Sequence, residues 1–437
     1  MKAILQFLQK LPKLFRQLHK PQFLGVMAGV QLVILLLLWL TWPQAPITLT
    51  FVVPAPESQH WSRLVQDFQA QNPDIRIKLV EGAYTTNEVE AIYTSALQTG
   101  SSIYDLIYLD IIWTPKFAAA GWLSNLSDHV SSSDLAPFLI DDIEAGRYQG
   151  ALYRIPFRTD VGMLYYRKDL LQEIGEPAPA TFAELVQVSQ QLQEQQQVRW
   201  GYVWQGQQYE GLVAMFVEVL AGYGGFWINP ETREVGLDQA PAIQSVEFLR
   251  DTLKLGISPA ETTTYDEEES FEKFQQGEVA FLRNWPYIWP RVEAMKTLQG
   301  KVGIKPMVHA PGYRSAACKG GWGLGIARNA KHPEAAWRAI QFFTSAESQR
   351  RFVLQSGYLP TRRDLFVDPA IAQKYPHFPS LLQVLEHPVL RPSIPQYDQA
   401  SQILQRHLSA ALTGQPSAEA AMQAAAKETQ RLLAKSY

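Results

Sequence analysis

Only one cysteine, Cys318, occurs in the 437 residues. A lone cysteine excludes an intramolecular disulfide framework and any cysteine-rich zinc site. The eight histidines form no His-x-x-x-His or His-x-His pair, so neither metal nor cofactor is expected. The glycine-rich stretch Gly320–Gly325 lacks the Lys-Ser/Thr of a phosphate loop and leads into Ile326-Ala327, not directly into a helix. Nucleotide binding is therefore not expected. Charge is sparse too, at 19% of residues with a formal net of −3. Removing the five positive charges of the N-terminal stretch (Lys2, Lys10, Lys13, Arg16 and Lys20) leaves −8 for the remainder. A mildly acidic chain without a basic block argues against nucleic acid as a partner.

What is present begins with one long apolar run. Phe23 to Trp42 carries no charge, and about 20 apolar residues suffice to span a bilayer as a helix. Positive residues precede it, no acidic residue accompanies them, and no charge follows until Glu57. The distribution predicts a cytoplasmic basic tail over 1–22, a transmembrane anchor over 23–42, and the rest on the extracytoplasmic side. The alternative is a cleaved signal peptide. The length of the run, and the lack of a small-x-small site around Trp42-Pro43-Gln44-Ala45, argue for an uncleaved anchor.

The remainder is long enough for two lobes, and its 46% hydrophobic content supplies ample core. Alternating Ile47–Val53, a helical face at Trp61, Leu64, Val65 and Phe68, alternating Ile75–Val80, a helix over Glu88–Leu97 and buried Tyr104–Leu109 follow in order. Strand, helix, strand, helix, strand predicts an α/β lobe with a parallel sheet, with Asp110 at a strand's carboxyl end where ligands bind. The central stretch Tyr153–Leu171 is β-rich and places Asp160 among Thr159, Val161 and Met163. A carboxylate in a buried strand needs hydrogen-bond partners from the protein or a ligand. The segment is expected to cross between lobes and offer Asp160 to a cleft. Asp266–Glu269 is read as a solvated helix start, where the helix dipole favours acids.

The order of motifs resembles the extracellular solute-binding proteins of ABC importers, of the maltose/trehalose type. The stretches carrying it are Ala96–Ser102, Tyr104–Trp113, Phe117–Leu123, Ile155–Leu171, Tyr209–Leu212, Gly277–Tyr287, Gly320–Trp322 with the following Lys331–Trp337, and Arg391–Tyr397. The resemblance implies a two-lobed periplasmic-binding-protein fold (type II) hinged by crossing strands. Lobe 1 is expected over 47–158 and 305–345, and lobe 2 over 159–304 and 346–437. It implies a saccharide ligand, permease subunits in the inner membrane as partners, a monomer, and no catalytic residues. By position it implies sugar contacts from Asp110, Asp160, Glu210, Trp285, Tyr287, Trp322 and Arg391, with Glu57, Arg158 and Tyr397 as further candidates. Arg158 stands where trehalose and maltose binders often carry an aromatic residue.

The chemistry of this set suits sugars, which offer C–H faces to flat rings and paired hydroxyls to planar bidentate groups. Glu210 and Arg391 also fit a structural ion pair, and Trp113, Trp289 and Tyr397 fit wall or core. Two other functions remain open on residue type: a membrane-tethered sugar sensor, and a glycoside hydrolase using two cleft carboxylates.

Overall fold

Trp61, Leu64, Val65 and Phe68, one face of the helix Ser58–Gln71, are all buried. Trp61 lies 5.2 Å from Phe51, 4.5 Å from Phe157 and 5.1 Å from Phe343 between ring centroids, and this cluster is the core of the first lobe. The computed structural model describes residues 45–435 together with Gln31, Val33 and Ile34. The expected basic tail over 1–22 and anchor over 23–42 otherwise lie outside the described residues. Among the described residues, no helix is long and apolar enough to cross a membrane.

The strands are β1 (Ile47–Val53), β2 (Ile75–Glu81), β3 (Leu106–Asp110), the short pair β4 (Arg147–Tyr148) and β5 (Ala151–Leu152), β6 (Ile155–Val161), β7 (Met163–Arg167), β8 (Trp200–Val203), β9 (Val279–Asn284), β10 (Val302–Lys305), β11 (Lys319–Ile326) and β12 (Leu359–Pro360). The strand–helix alternation expected from Ile47 to Asp110 is present, with Thr85 and Glu88 closing a capping box at the start of Thr86–Gln98. The pairing differs from expectation. β3 does not sit among parallel neighbours; it joins the order β12-β6-β11-β3, whose pairs are all antiparallel. Sequence order alone does not reveal that strands from far down the chain fill this sheet.

The second lobe is built on the order β10-β7-β9-β8. The helix Glu210–Gly222 and the last two helices, Tyr397–Leu412 and Ala418–Ala434, pack with Ala240–Lys254 beside it. Strand pairing places the residues around the expected lobe boundaries as follows. β6 remains paired in the first sheet as far as Val161, opposite Lys319, so the first crossing falls at Gly162, not at 158. β10 pairs with β7, which keeps Lys305 in the second lobe. Residues 346–360, expected in lobe 2, touch both lobes: the helix Ala346–Ser356 packs on Ser58–Gln71 and β12 pairs with β6, while Val353 and Leu359 join the core of Tyr165 and Phe271. Residues 365–385 share one apolar core with Val161, Met163, Tyr165 and Phe271, so the hinge region is itself packed.

Candidate functional site

Register places the cleft residues. Trp322 on β11 is opposite Asp110 of β3 on one side and Arg158 of β6 on the other, and Gly320 is opposite Asp160. Directly paired residues of antiparallel strands share a face, and residues two apart share it as well. One face of the first sheet therefore presents Asp110, Trp322, Arg158 and Asp160 as a group. The alternate residue Phe157 turns to the core and packs on Phe352 at 4.7 Å.

The four are held by further contacts. Arg158 donates from Nε and Nη2 to Glu57 Oε1 at 3.1 and 2.6 Å, and from Nη1 to Asp160 Oδ2. Tyr108 fills the other Glu57 oxygen at 2.8 Å, and the guanidinium lies 4.4 Å from the Tyr358 ring centroid. Asp160 Oδ1 is buried with no hydrogen-bond partner among the described residues. Asp110 accepts from Ile112 N–H at 3.2 Å and lies 3.6 Å from Arg391 Nη2.

The second lobe supplies the facing wall. Trp285 follows β9, and its Nε1 donates to Glu267 Oε1 at 3.0 Å. Arg283 lies 4.2 Å from the centre of its ring. Tyr209 donates to the other Glu267 oxygen at 2.5 Å. The ring edge of Trp285 approaches Gly320 so closely that a β-carbon there would lie 3.3 Å from it; the glycine makes room for the indole. Tyr287 stacks on Tyr358 of the first lobe at 4.9 Å, and Glu210 N–H donates to Asn87 Oδ1 at 3.0 Å. The two lobes thus meet across the cleft. One cavity between them is lined by Glu57, Asp110, Arg158, Asp160, Glu210, Glu267, Trp285, Tyr287, Trp322, Tyr358 and Arg391.

Burial dominates the electrostatics. It pushes Asp160 up to about 7 against the pull of Arg158, with Glu57 and Asp110 adding repulsion. Asp110 and Glu210 are raised for the same reason, each partly offset by Arg391. Carboxylates crowded in a closed cleft bind protons more readily than in water.

Residues 55–350 match the family of bacterial extracellular solute-binding proteins. The chain belongs to this family. A probable ABC transporter-binding protein of Deinococcus radiodurans is 29% identical, over 79% of this chain and 84% of that protein. A maltotriose-binding protein of Pyrococcus abyssi is 24% identical, over 78% and 71% respectively. The maltose-bound structure of T. maritima MalE3 superposes with a TM-score of 0.84 at 34% identity, covering 88% of this chain and all of that one. These relatives are binding proteins, and this solute-binding protein is not an enzyme; the hydrolase alternative falls on that ground.

All ten candidate residues except Tyr397 line the cavity. They do not line it in the same way. Glu57 has both oxygens occupied by Arg158 and Tyr108. Glu210 receives Arg391 at 2.6 Å, Tyr397, and Ser401 at 2.6 Å, so both its oxygens are taken within the protein. It sits at the cavity paired with Arg391, and Tyr397, only 2% exposed, donates to it. Trp113 is core: it is buried, 5.0 Å from Trp322 between ring centroids, and does not line the cavity. Reading Asp266–Glu269 as a solvated helix start missed Glu267, which orients Trp285. Its spacing next to a cap residue gave no hint of that; only the packing of the helix Glu267–Gln275 on β9 does.

A direct consequence concerns Glu210. Glu210→Gln is expected to lower the stability of the ligand-free protein by about 2 kcal/mol, because Arg391 loses its buried carboxylate. A urea titration checks it. An unchanged midpoint would remove the structural role.

Proposed function

We propose that this solute-binding protein is a saccharide receptor of an ABC importer, closing its two lobes on a di- or oligosaccharide or a related polyol. The observation carrying the reading is Asp160 Oδ1, buried without a partner among the described residues on a sheet face that also offers Trp322, opposite Trp285. A buried acceptor of this kind is costly unless a ligand donor satisfies it, and a sugar hydroxyl beside flat rings does so. The names of the relatives, binders of maltotriose and maltose, support the same class. Delivery to permease subunits follows from the family's place in import, and one protomer suffices because both walls of the cleft come from a single chain. We further propose that the run Phe23–Trp42 tethers the protein to the cytoplasmic membrane with residues 1–22 inside, on its apolar length and the five positive charges before it. Resistance to carbonate extraction of membranes tests the tether.

A thermal-shift panel of the full chain against mono-, di- and oligosaccharides and alditols tests the ligand class. The melting temperature is expected to climb with sugar concentration, as it does for any ligand of the folded state. A folded sample indifferent to the whole panel would turn the site over to another ligand.

A further inference from the structure

We propose that Lys116, outside the cavity, is a positioning residue for binding: it clasps the two lobes shut by joining Glu90 of lobe 1 to Asp398 of lobe 2. The proposal rests on the reading of the cleft as one that shuts on its ligand. Lys116 lies on the helix Thr114–Ala119, which begins four residues after Asp110. Its Nζ is 2.8 Å from Glu90 Oε1 and 3.4 Å from Asp398 Oδ2. Glu90 is on Thr86–Gln98 of the first lobe, and Asp398 on Tyr397–Leu412, which packs in the second. Gln402 fixes the other Asp398 oxygen at 3.0 Å. Beside this clasp, Asn87, on the same helix as Glu90, receives the Glu210 N–H from the helix Glu210–Gly222, a second polar link between the lobes.

The clasp is connected to the cavity without being part of it. Tyr397 and Ser401, on the helix that carries Asp398, hold the Glu210 carboxylate, and Glu210 holds Arg391 beside Asp110. Closing the lobes therefore assembles the clasp and this wall of the cavity together. Ligand affinity is the intrinsic affinity of the closed form scaled by how readily that form is populated, so a clasp remote from the ligand sets affinity.

The charges make closure pH-dependent. One cation sits between two carboxylates, with Glu210 as the further acid facing Glu90 from the second lobe. Burial first, then Asp398, push Glu90 up to about 7, against Lys116. Asp398 and Glu210 belong to the opposite lobe, so their share of the shift disappears on opening. The closed form then binds a proton that the open form releases. Its contribution to closure is full below the pKa that Glu90 has in the open form and is lost as pH rises through about 7. Between pH 6 and 8 the closed-to-open ratio is expected to fall about threefold.

The test uses the full chain with dyes on Lys78→Cys and Lys254→Cys, exposed positions in lobes 1 and 2; Cys318 is buried and stays unlabelled. Without ligand, energy transfer is expected to drop from pH 6 to 8 in the parent. Glu90→Gln should show a clearly smaller drop than the parent, the remainder belonging to Asp160 in the cleft, and Lys116→Met should open at pH 7. With maltose as probe, Lys116→Met should raise the dissociation rate about tenfold and leave association within about twofold. Parent-like transfer in Lys116→Met, or a parent-like pH response in Glu90→Gln, overturns the clasp; the second variant keeps the test sharp if the first folds poorly. A dye pair that responds as expected while maltose and the other sugars fail to bind supports the clasp and overturns only the saccharide reading.

Discussion

Gly162→Ala is expected to destabilise the ligand-free protein by about 3–5 kcal/mol, the range for breaking a buried ion pair. Gly162 is the single residue between β6 and β7, where the chain passes from one sheet to the other. Its N–H donates to Cys318 O at 3.2 Å, and Cys318 N–H donates to Glu218 Oε1 at 3.1 Å. Arg283 grips the same carboxylate through Nε at 2.8 Å and Nη2 at 2.6 Å, and reaches Gln205 at 3.1 Å. The side chains of Arg283 and Glu218 are both wholly buried. A β-carbon at 162 would overlap the Glu218 carboxylate and lie 2.5 Å from Arg283 Nη2.

Neither group can step aside cheaply. Each is pinned by the other, and separating them leaves an uncompensated charge without water. Glu218→Ala alone should cost a similar amount, and the double variant should cost clearly less than the sum, because the methyl group then meets no carboxylate. Urea titrations of the three variants measure it. A Gly162→Ala cost below about 1 kcal/mol, inside the usual scatter of surface substitutions, would show that the crossing strand shifts to accommodate the methyl.

The same crossing shows what was legible in the sequence. Asp160 stood out because an acid in a run of branched and aromatic residues has a local cost that needs no knowledge of the fold. Trp285 and Trp322 were found through motif order, which carries the arrangement of the whole family. The sequence offers Glu210 and Arg391 as sugar contacts or as an ion pair, and packing shows the pair formed: three donors converge on one carboxylate. What was not legible depends on distant pairing. Trp322 joins Asp110 and Arg158 only through a register linking three strands more than 200 residues apart at the extremes. The contact of 346–360 with the first sheet likewise rests on a two-residue strand opposite Arg158 and Thr159, too short to leave a periodic signal.

Asp160→Ala and Trp285→Ala are each expected to weaken saccharide binding roughly 100-fold, about 2.7 kcal/mol, while leaving the fold intact. The two losses have different origins. Asp160 offers one oxygen to Arg158 and keeps the other unpartnered among the described residues, so its removal takes away the acceptor for a ligand hydroxyl. Arg158 keeps two bonds to Glu57, which is why the site survives. Trp285 contributes a face: its N–H is committed to Glu267 and Arg283 covers one side, leaving ring carbon for the sugar. Trp285→Phe should therefore recover most of the affinity, whereas Asp160→Asn should recover little, because half of its amide is a donor where an acceptor is required. Calorimetric titration with the sugar selected by thermal shift decides the matter. Parent-like affinity in both alanine variants would remove these residues from the site. Parent-like affinity in Asp160→Asn alone would mean that the ligand presents an acceptor to that position, not a hydroxyl donor.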